Sequence, residues 1–96
     1  MRIFSKPILR DFWDKHPNSK SALENWYDIT KHAQWGNFAG MRTDFPSVDK
    51  VGILYVFNIG GNKYRLIAAV HFNTQRVFVR HILTHREYDR GHWKDG

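Results

Sequence analysis

The segment VGILYVFNIGGNKYRLIAAVHFNTQRVFVRHIL, residues 51–83, decides the fold. It contains three stretches rich in β-branched and aromatic residues, which are typical of strands: residues 51–57, 64–72 and 76–83. Between them, Ile59-Gly60-Gly61-Asn62 and Asn73-Thr74-Gln75 are turn sequences, because glycine and asparagine tolerate left-handed backbone. We therefore predict three consecutive antiparallel strands.

The side chains of these strands divide between two faces, because successive residues of a strand point in opposite directions. In the middle strand an apolar set should meet the helices, whereas Arg65, Ile67, Ala69 and His71 should point to the outer face. In the last strand the same alternation groups His81 and Leu83 with Val77 and Val79, and groups Arg80 and Ile82 with Phe78 and Thr84. The outer face is then mostly apolar with a few cationic groups, which suits stacking of a base while a phosphate is held.

The N-terminal half predicts one short strand and two helices. Residues 1–4 are strand-like, and Ser5 can cap a helix that ends at His16-Pro17, because the residue before proline avoids helical backbone. A second helix starts near residues 18–21, and residues 35–46 have no clean period and predict an irregular connection. We predict a single α+β domain over residues 1–96 with the order βααβββ: two antiparallel helices on an antiparallel sheet of about four strands. Thr84 should cap a short C-terminal helical segment.

The charge of the chain points to a polyanionic partner. Fifteen Lys and Arg against nine Asp and Glu give a formal net charge of +6, with basic residues spread along the chain and densest in the last third. Nucleic acid is the partner that this balance favours, whereas no segment has the lysine-rich amphipathic pattern of a membrane-surface helix. The chain has no cysteine, no apolar run near the ~20 residues of a membrane span and no apolar leader, so we expect a cytoplasmic protein.

The polar side chains offer the chemistry of RNA cleavage without a metal. Cleavage by the ribose 2′-hydroxyl needs a base, an acid and cations around phosphorus, roles that histidine and arginine fill. The candidates are Arg65, Arg80, His71, His85 and Tyr88. Each has a plain alternative: the arginines could extend to solvent or pair with an aspartate, His85 could lie in solvent at a helix end, and Tyr88 could close the C-terminal segment onto the sheet. His81 and His85 have zinc-like spacing only if one helix carries both, so we expect neither metal nor cofactor.

Several motifs together resemble one bacterial family. These are YVFNIGGN at residues 55–62, YRL at 64–66, THREYD at 84–89, Trp26-Tyr27 and FPSVD at 45–49. Over essentially its whole length the chain resembles the HigB toxins of type II toxin–antitoxin modules, within the RelE/ParE superfamily. The resemblance implies a RelE-like fold and a ribosome-dependent mRNA endonuclease that halts translation. It also implies a helix-turn-helix antitoxin of the HigA type, which alone would bind operator DNA.

The resemblance also implies roles for particular residues. Superfamily sites match Arg65 on the middle strand, His85 after the last strand and Tyr88 nearby, so we expect His85 to act as base or acid and Tyr88 to orient or stack. Arg65 and Arg80 would hold the scissile phosphate. Further RNA contacts are expected from Asn58, Lys63, His71, Arg86 and Arg90. Relatives such as RelE carry lysines on the strand before the glycine turn, where this chain has Val56 and Asn58, so the identity of the general base stays open.

Two other functions remain at this point. ParE-type members of the superfamily poison DNA gyrase, but they lack the catalytic cluster that Arg65, Arg80, His85 and Tyr88 would form. A non-catalytic module could instead dock its basic face on RNA or the ribosome. Replacement of His85 by alanine would distinguish these classes, because it should abolish the toxicity of an enzyme and leave pure binding largely intact.

Overall fold

The computed structural model describes residues 1–4 and 6–95, so the predicted Ser5 cap lies outside the described residues. The chain forms an α+β domain whose elements follow in the order β1 (Arg2–Phe4), α1 (Lys6–Lys15), α2 (Lys20–His32), α3 (Phe38–Asp44), β2 (Asp49–Val51), β3 (Leu54–Ile59), β4 (Tyr64–His71), β5 (Arg76–Thr84) and α4 (His85–Arg90). Short 3₁₀ turns at Pro17–Ser19 and His92–Asp95 complete the described part. In that part no helix is both long and apolar enough to cross a membrane.

The sheet is larger than predicted, and it is mixed. Its strand order is β1-β5-β4-β3-β2, in which β1 runs parallel to β5 and the other neighbours are antiparallel. The prediction of an all-antiparallel sheet of about four strands was therefore wrong in these details. The stretch 51–57, predicted as one strand, is divided by a turn at Gly52, whose φ of 62° is left-handed, so that β2 and β3 pair with each other.

A third helix occupies the segment predicted to be irregular. Asn37 caps α3, because its side-chain oxygen accepts a hydrogen bond from the Gly40 amide at 2.9 Å. Trp35 beside it is buried, and its indole N–H donates to Asp44 at 2.8 Å. Seven residues are too few for a clear helical period, so the cap was the available signal in the sequence.

The helix-covered face of the sheet carries the main core, as predicted. Leu66, Ala68 and Val70 of β4 pack there with residues of α1 and α2. The Trp26 ring meets the Phe57 ring edge-on, with centroids 5.5 Å apart. The start of the chain is tied to the end of α2, where the Met1 amine donates to the carbonyls of Thr30, Lys31 and Ala33 at 3.1, 3.0 and 2.6 Å. Burial lowers the pKa of this amine below its ordinary value of 8.0.

A β-bulge corrects the predicted alternation of β5. Ile67 pairs with His81 but the next residue, Ala68, pairs with Val79, so Arg80 is an extra residue in β5. The insertion shifts the alternation by one residue. As a result Ile82 joins the helix-covered core, whereas Leu83 packs on the other face, the reverse of the predicted grouping with Val79.

The C-terminal segment covers part of the outer face. Trp93 is only 4 % exposed and packs with Val56 and Ile67. Leu83 and Tyr88 are partly buried against the same cluster. The outer face predicted to suit the stacking of a base is therefore partly covered, because a tryptophan of the chain itself packs on Val56 and Ile67.

Candidate active site at one end of the sheet

Residues from two strands, one turn and the start of α4 lie together at the end of the sheet where β5 passes into α4. In the register, Arg65 of β4 lies between Asn58 of β3 and Leu83 of β5. The His85 amide donates to the Lys63 carbonyl at 3.2 Å, which ties the start of α4 to the turn between β3 and β4. The structure thus places Asn58, Lys63, Arg65 and His85 at one end of the sheet.

The sequence at both ends of α4 sets its position. Thr84 and Glu87 form a capping box: the Thr84 hydroxyl accepts from the Glu87 amide at 3.2 Å, and the Glu87 carboxylate accepts from the Thr84 amide at 2.9 Å. Gly91 ends the helix in a left-handed conformation with φ 76°, which glycine adopts without steric cost. The predicted cap at Thr84 is confirmed, and it fixes where His85 and Tyr88 lie.

Arg65 is a buried cation with defined partners. Its side chain is 9 % exposed. One terminal nitrogen donates to the Tyr64 carbonyl at 3.1 Å, and the other donates to the Asn62 side-chain oxygen at 3.4 Å. The guanidinium carbon lies 5.4 Å from the centre of the Tyr88 ring, within cation–π range. These contacts use part of the five donors of an arginine, so N–H groups remain for a phosphate.

Tyr88 and Trp93 form a stacked pair that joins α4 to the outer face. Their ring centroids are 5.2 Å apart with planes inclined by 14°. The Trp93 indole N–H donates to the Tyr88 carbonyl at 3.1 Å. Tyr88 therefore contacts Arg65 with its ring and Trp93 by stacking, which agrees with the alternative in which it closes the C-terminal segment onto the sheet. Its role at the site stays a prediction.

His85 is an exposed histidine of this cluster. Its side chain is 52 % exposed, and Nδ1 lies 3.0 Å from an Asp89 carboxylate oxygen. A carboxylate that accepts from Nδ1–H fixes the tautomer, so Nε2 is the atom left to exchange a proton. Asp89 was not predicted as a site residue, although its spacing of four residues from His85 within a helix was the available signal.

Two predicted residues lie away from this cluster. His71 is at the opposite end of β4, six residues from Arg65 and so ~20 Å along the strand, where its ring meets Phe78 edge-on at 5.4 Å. Arg80 is exposed at the bulge, three residues before Leu83 and therefore roughly 10 Å along β5 from the position opposite Arg65. Arg86 and Arg90 are exposed on α4.

The geometry supports proton transfer beside a phosphate site. An exposed imidazole with one nitrogen held by a carboxylate suits general acid or base catalysis. A buried guanidinium is a preorganised cation, because neighbouring groups fix it before any substrate binds. Asn62 and Trp93, the side chains that hold Arg65 and Tyr88 in place, were not predicted to belong to the site.

Comparison with known proteins finds a family model and several relatives that agree with one another. The family model HigB_toxin, described as a RelE-like toxic component of a toxin–antitoxin system, matches residues 19–91. An mRNA interferase HigB of Escherichia coli O6:H1 is 38 % identical over 93 residues, covering 94 % of this chain and 90 % of the relative. The mRNA interferase toxin HigB of Escherichia coli K12 is 33 % identical over 92 residues, covering 93 % and 88 %. The mRNA interferase HigB of Shigella flexneri has the same identity and coverage.

Proposed function

The chain belongs to the HigB family of RelE-like toxins, and from this premise we propose how its described residues cut RNA. It is the toxin of a toxin–antitoxin module and an mRNA interferase, that is, an RNA endonuclease. The observation that carries the proposal is the half-exposed His85 ring, held by Asp89 at the same end of the sheet as Arg65 and Tyr88. The groups at this end suit the transition state of a phosphodiester cleavage.

The proposed reaction is attack by the ribose 2′-oxygen on the adjacent phosphorus. The bond from phosphorus to the 5′-oxygen breaks, and the products carry a 2′,3′-cyclic phosphate and a 5′-hydroxyl. One group takes the proton of the 2′-hydroxyl, and another gives a proton to the leaving 5′-oxygen. His85 fills one of these roles through Nε2, because Asp89 occupies Nδ1.

Cationic side chains stabilise the charged phosphorane in this proposal. Arg65 contributes from a fixed position, since the Tyr88 ring, Asn62 and the Tyr64 carbonyl hold it. Arg80 would reach the phosphate from the bulge, and its exposure leaves it free to move on binding. Asn58, Lys63, Arg86 and Arg90 would contact neighbouring nucleotides, whereas His71 would contact the RNA only far along the strand.

The proposed partners follow from this chemistry. An antitoxin is implied by the family, and we propose that it is a helix-turn-helix protein that binds operator DNA for both. We also propose that the ribosome presents the mRNA to the toxin in the cytoplasm. A single imidazole and a buried arginine form a modest catalytic set, so an RNA backbone already bent for in-line attack would supply a large part of the rate.

Induced expression in bacteria tests the proposed function. We compare the wild type, His85→Ala and the matched control His32→Ala, which removes an exposed histidine of α2. Alanine is compatible with the first turn of α4, because Thr84 and Glu87 provide the cap. The readouts are growth and the mapped 5′ ends of cellular mRNA.

We expect the wild type and His32→Ala to stop growth with cuts in translated messages, and His85→Ala to do neither. Equal cutting by His85→Ala would exclude the histidine from the chemistry. Growth arrest by the wild type without mRNA cuts would instead indicate a ParE-like action on gyrase or a binding function without cleavage.

A further inference from the structure

A pocket lies on the outer face, between β5 and the C-terminal segment. Its volume is about 260 Å³, at the small end of ligand pockets. We call it the tail pocket, and its lining residues are His81, Leu83, Glu87, Arg90, His92 and Trp93. We propose that it binds one nucleotide of the mRNA next to the cleaved bond, an inference that rests on the proposed function.

The composition of the tail pocket suits a nucleotide. Leu83 and Trp93 provide apolar walls, and His81, Arg90 and His92 provide nitrogen donors. Apolar walls with a few convergent polar groups are typical of small-ligand sites, and arginine and histidine are suited to phosphate oxygens and base edges. Glu87 is already engaged, because its carboxylate accepts from the Thr84 amide at 2.9 Å.

Two backbone features bring the histidines to the tail pocket. The bulge at Arg80 places His81 opposite Ile67, which packs on the outer face. The left-handed Gly91, with φ 76°, turns the chain so that Trp93 returns to the sheet and His92 lines the pocket. Strict alternation along β5 would not place His81 on this face. A helix continued past Arg90 would not bring His92 to the pocket.

The helix α4 connects the tail pocket to the candidate active site. His85 and Asp89 pair along one side of α4, and Glu87 and Arg90 line the tail pocket. Successive residues of a helix are 100° apart around its axis, so the two pairs lie on different sides. The direct link is through the sheet, because Leu83 of the tail pocket pairs with Arg65 in the strand register. One short oligonucleotide can therefore contact both Arg65 and the tail pocket.

RNA is favoured over a protein segment as the occupant. The net charge of +6 attracts an anion, and an acidic side chain of the antitoxin would satisfy the same cations. The tail pocket, however, has a volume suited to a single small group, and it adjoins the site where RNA must bind for cleavage. A flat aromatic base can lie against the partly buried Leu83 while its phosphate meets His92 or Arg90.

The test uses asparagine replacements of the two histidines, which keep a hydrogen-bonding side chain of smaller size. The full-length variants His81→Asn, His92→Asn and the double variant are compared with His32→Asn, whose exposed histidine lies on α2. Cleavage of a translated message on purified ribosomes gives kcat, KM and the distribution of cut sites. A labelled single-stranded hexanucleotide gives binding affinity against salt, and Trp fluorescence on denaturant unfolding checks that each variant is folded.

We expect the double variant to have a KM about tenfold higher with kcat within twofold, in keeping with the loss of about 1.4 kcal/mol of uniform binding. Its base preference beside the cut should be relaxed. If a phosphate contact is lost, the slope of log affinity against log salt should fall by about 0.7. His32→Asn should match the wild type in every measurement.

Three results would overturn the proposal. The first is a double variant with wild-type KM, cut sites and salt slope. The second is unchanged cleavage with loss of inhibition by the antitoxin, which would assign the tail pocket to a carboxylate of the partner. The third is a fall in kcat alone. If the wild type itself made no cuts, the proposed function would fail. Equal hexanucleotide binding by the wild type and the double variant would then separately reject the proposal that the tail pocket binds a nucleotide.

Discussion

The two faces of the sheet differ in the size of the buried cluster that each one carries. One face is covered by α1, α2 and α3, and its buried side chains come from almost every element of the chain. On the other face the buried cluster is Val56, Ile67 and Trp93, and the cover is a single short helix followed by one 3₁₀ turn. The candidate active site includes residues of this smaller cover, among them His85 and Tyr88 of α4, so the fold and the site depend on different groups of residues.

This difference has an energetic consequence. A large apolar core provides most of the free energy of folding, which for a domain of this size is roughly 5–14 kcal/mol. A small cluster at the end of the chain can open without unfolding the rest, because local stability varies across a structure. Mutations on the helix-covered face should therefore change global stability, and mutations on the other face should change function first.

The largest effect is expected from Leu66→Ala. Leu66 is fully buried at the centre of the helix-covered core, and truncation of such a side chain costs about 2–5 kcal/mol through lost burial and the cavity left behind. Urea unfolding followed by circular dichroism should show a midpoint shifted strongly downward with an unchanged slope. A decrease in the free energy of unfolding below about 1 kcal/mol would contradict the inference that the helix-covered face determines global stability.

Trp93→Ala should have the next largest effect, and it should separate stability from function. The change removes the cover from Val56 and Ile67 and the stacking partner of Tyr88, and Trp93 belongs to a different buried cluster from the main core. We expect a global cost of about 1–2 kcal/mol together with loss of most RNA cleavage. Hydrogen exchange should show lost protection confined to α4 and the end of β5.

Trp93→Phe is the matched control for that change. It retains an aromatic ring for stacking but loses the indole N–H that donates to the Tyr88 carbonyl. We expect Trp93→Phe to recover most of the activity and stability. Equal loss of activity in both variants would show that the hydrogen bond, and not the cover of apolar surface, holds the C-terminal segment.

The same contrast separates what the sequence predicted from what it did not. The helix-covered face was predictable, because alternation in β4 and the helical spacing of apolar residues both report burial on a regular element. The arrangement of the outer face was not predictable from such patterns. The extra residue at Arg80 reverses the alternation of β5, and a single tryptophan, Trp93, does not form a periodic pattern that would report its burial. Short elements such as α3 and the parallel pairing of β1 with β5 also leave no repeating pattern.

The candidate site was predictable in part for a similar reason. Arg65, His85 and Tyr88 were named from a resemblance of motifs, and the structure brings these three residues to one end of the sheet. Whether they act in catalysis stays a prediction. Asp89, Asn62 and Trp93 were not predicted as site residues, because residues that hold others in place are recognised by contacts and not by their type.

Gly91→Ala should have a smaller effect, again confined to the outer face. The φ of Gly91 is 76°, and no atom lies within 4 Å of an added Cβ, so the cost comes from backbone conformation alone. That cost is about 1–2 kcal/mol in left-handed backbone. We expect a similar decrease in the stability of the C-terminal segment and a partial loss of cleavage. Gly36→Ala, at an equally open glycine, is the control, and it should leave both unchanged.

The smallest effect on stability, and the most specific effect on function, is expected from Asp89→Asn. The ion pair with His85 is exposed on both sides, so its removal should change the free energy of unfolding by less than about 0.5 kcal/mol. An amide can present its oxygen or its NH₂ group to Nδ1, so the histidine is no longer held in one tautomer. We expect cleavage to fall about tenfold through kcat, with KM unchanged. The control is Asp28→Asn, which changes another exposed aspartate on a helix and should leave kcat as in the wild type. Equal cleavage rates in Asp89→Asn and Asp28→Asn would mean that the substrate, and not Asp89, positions the His85 ring.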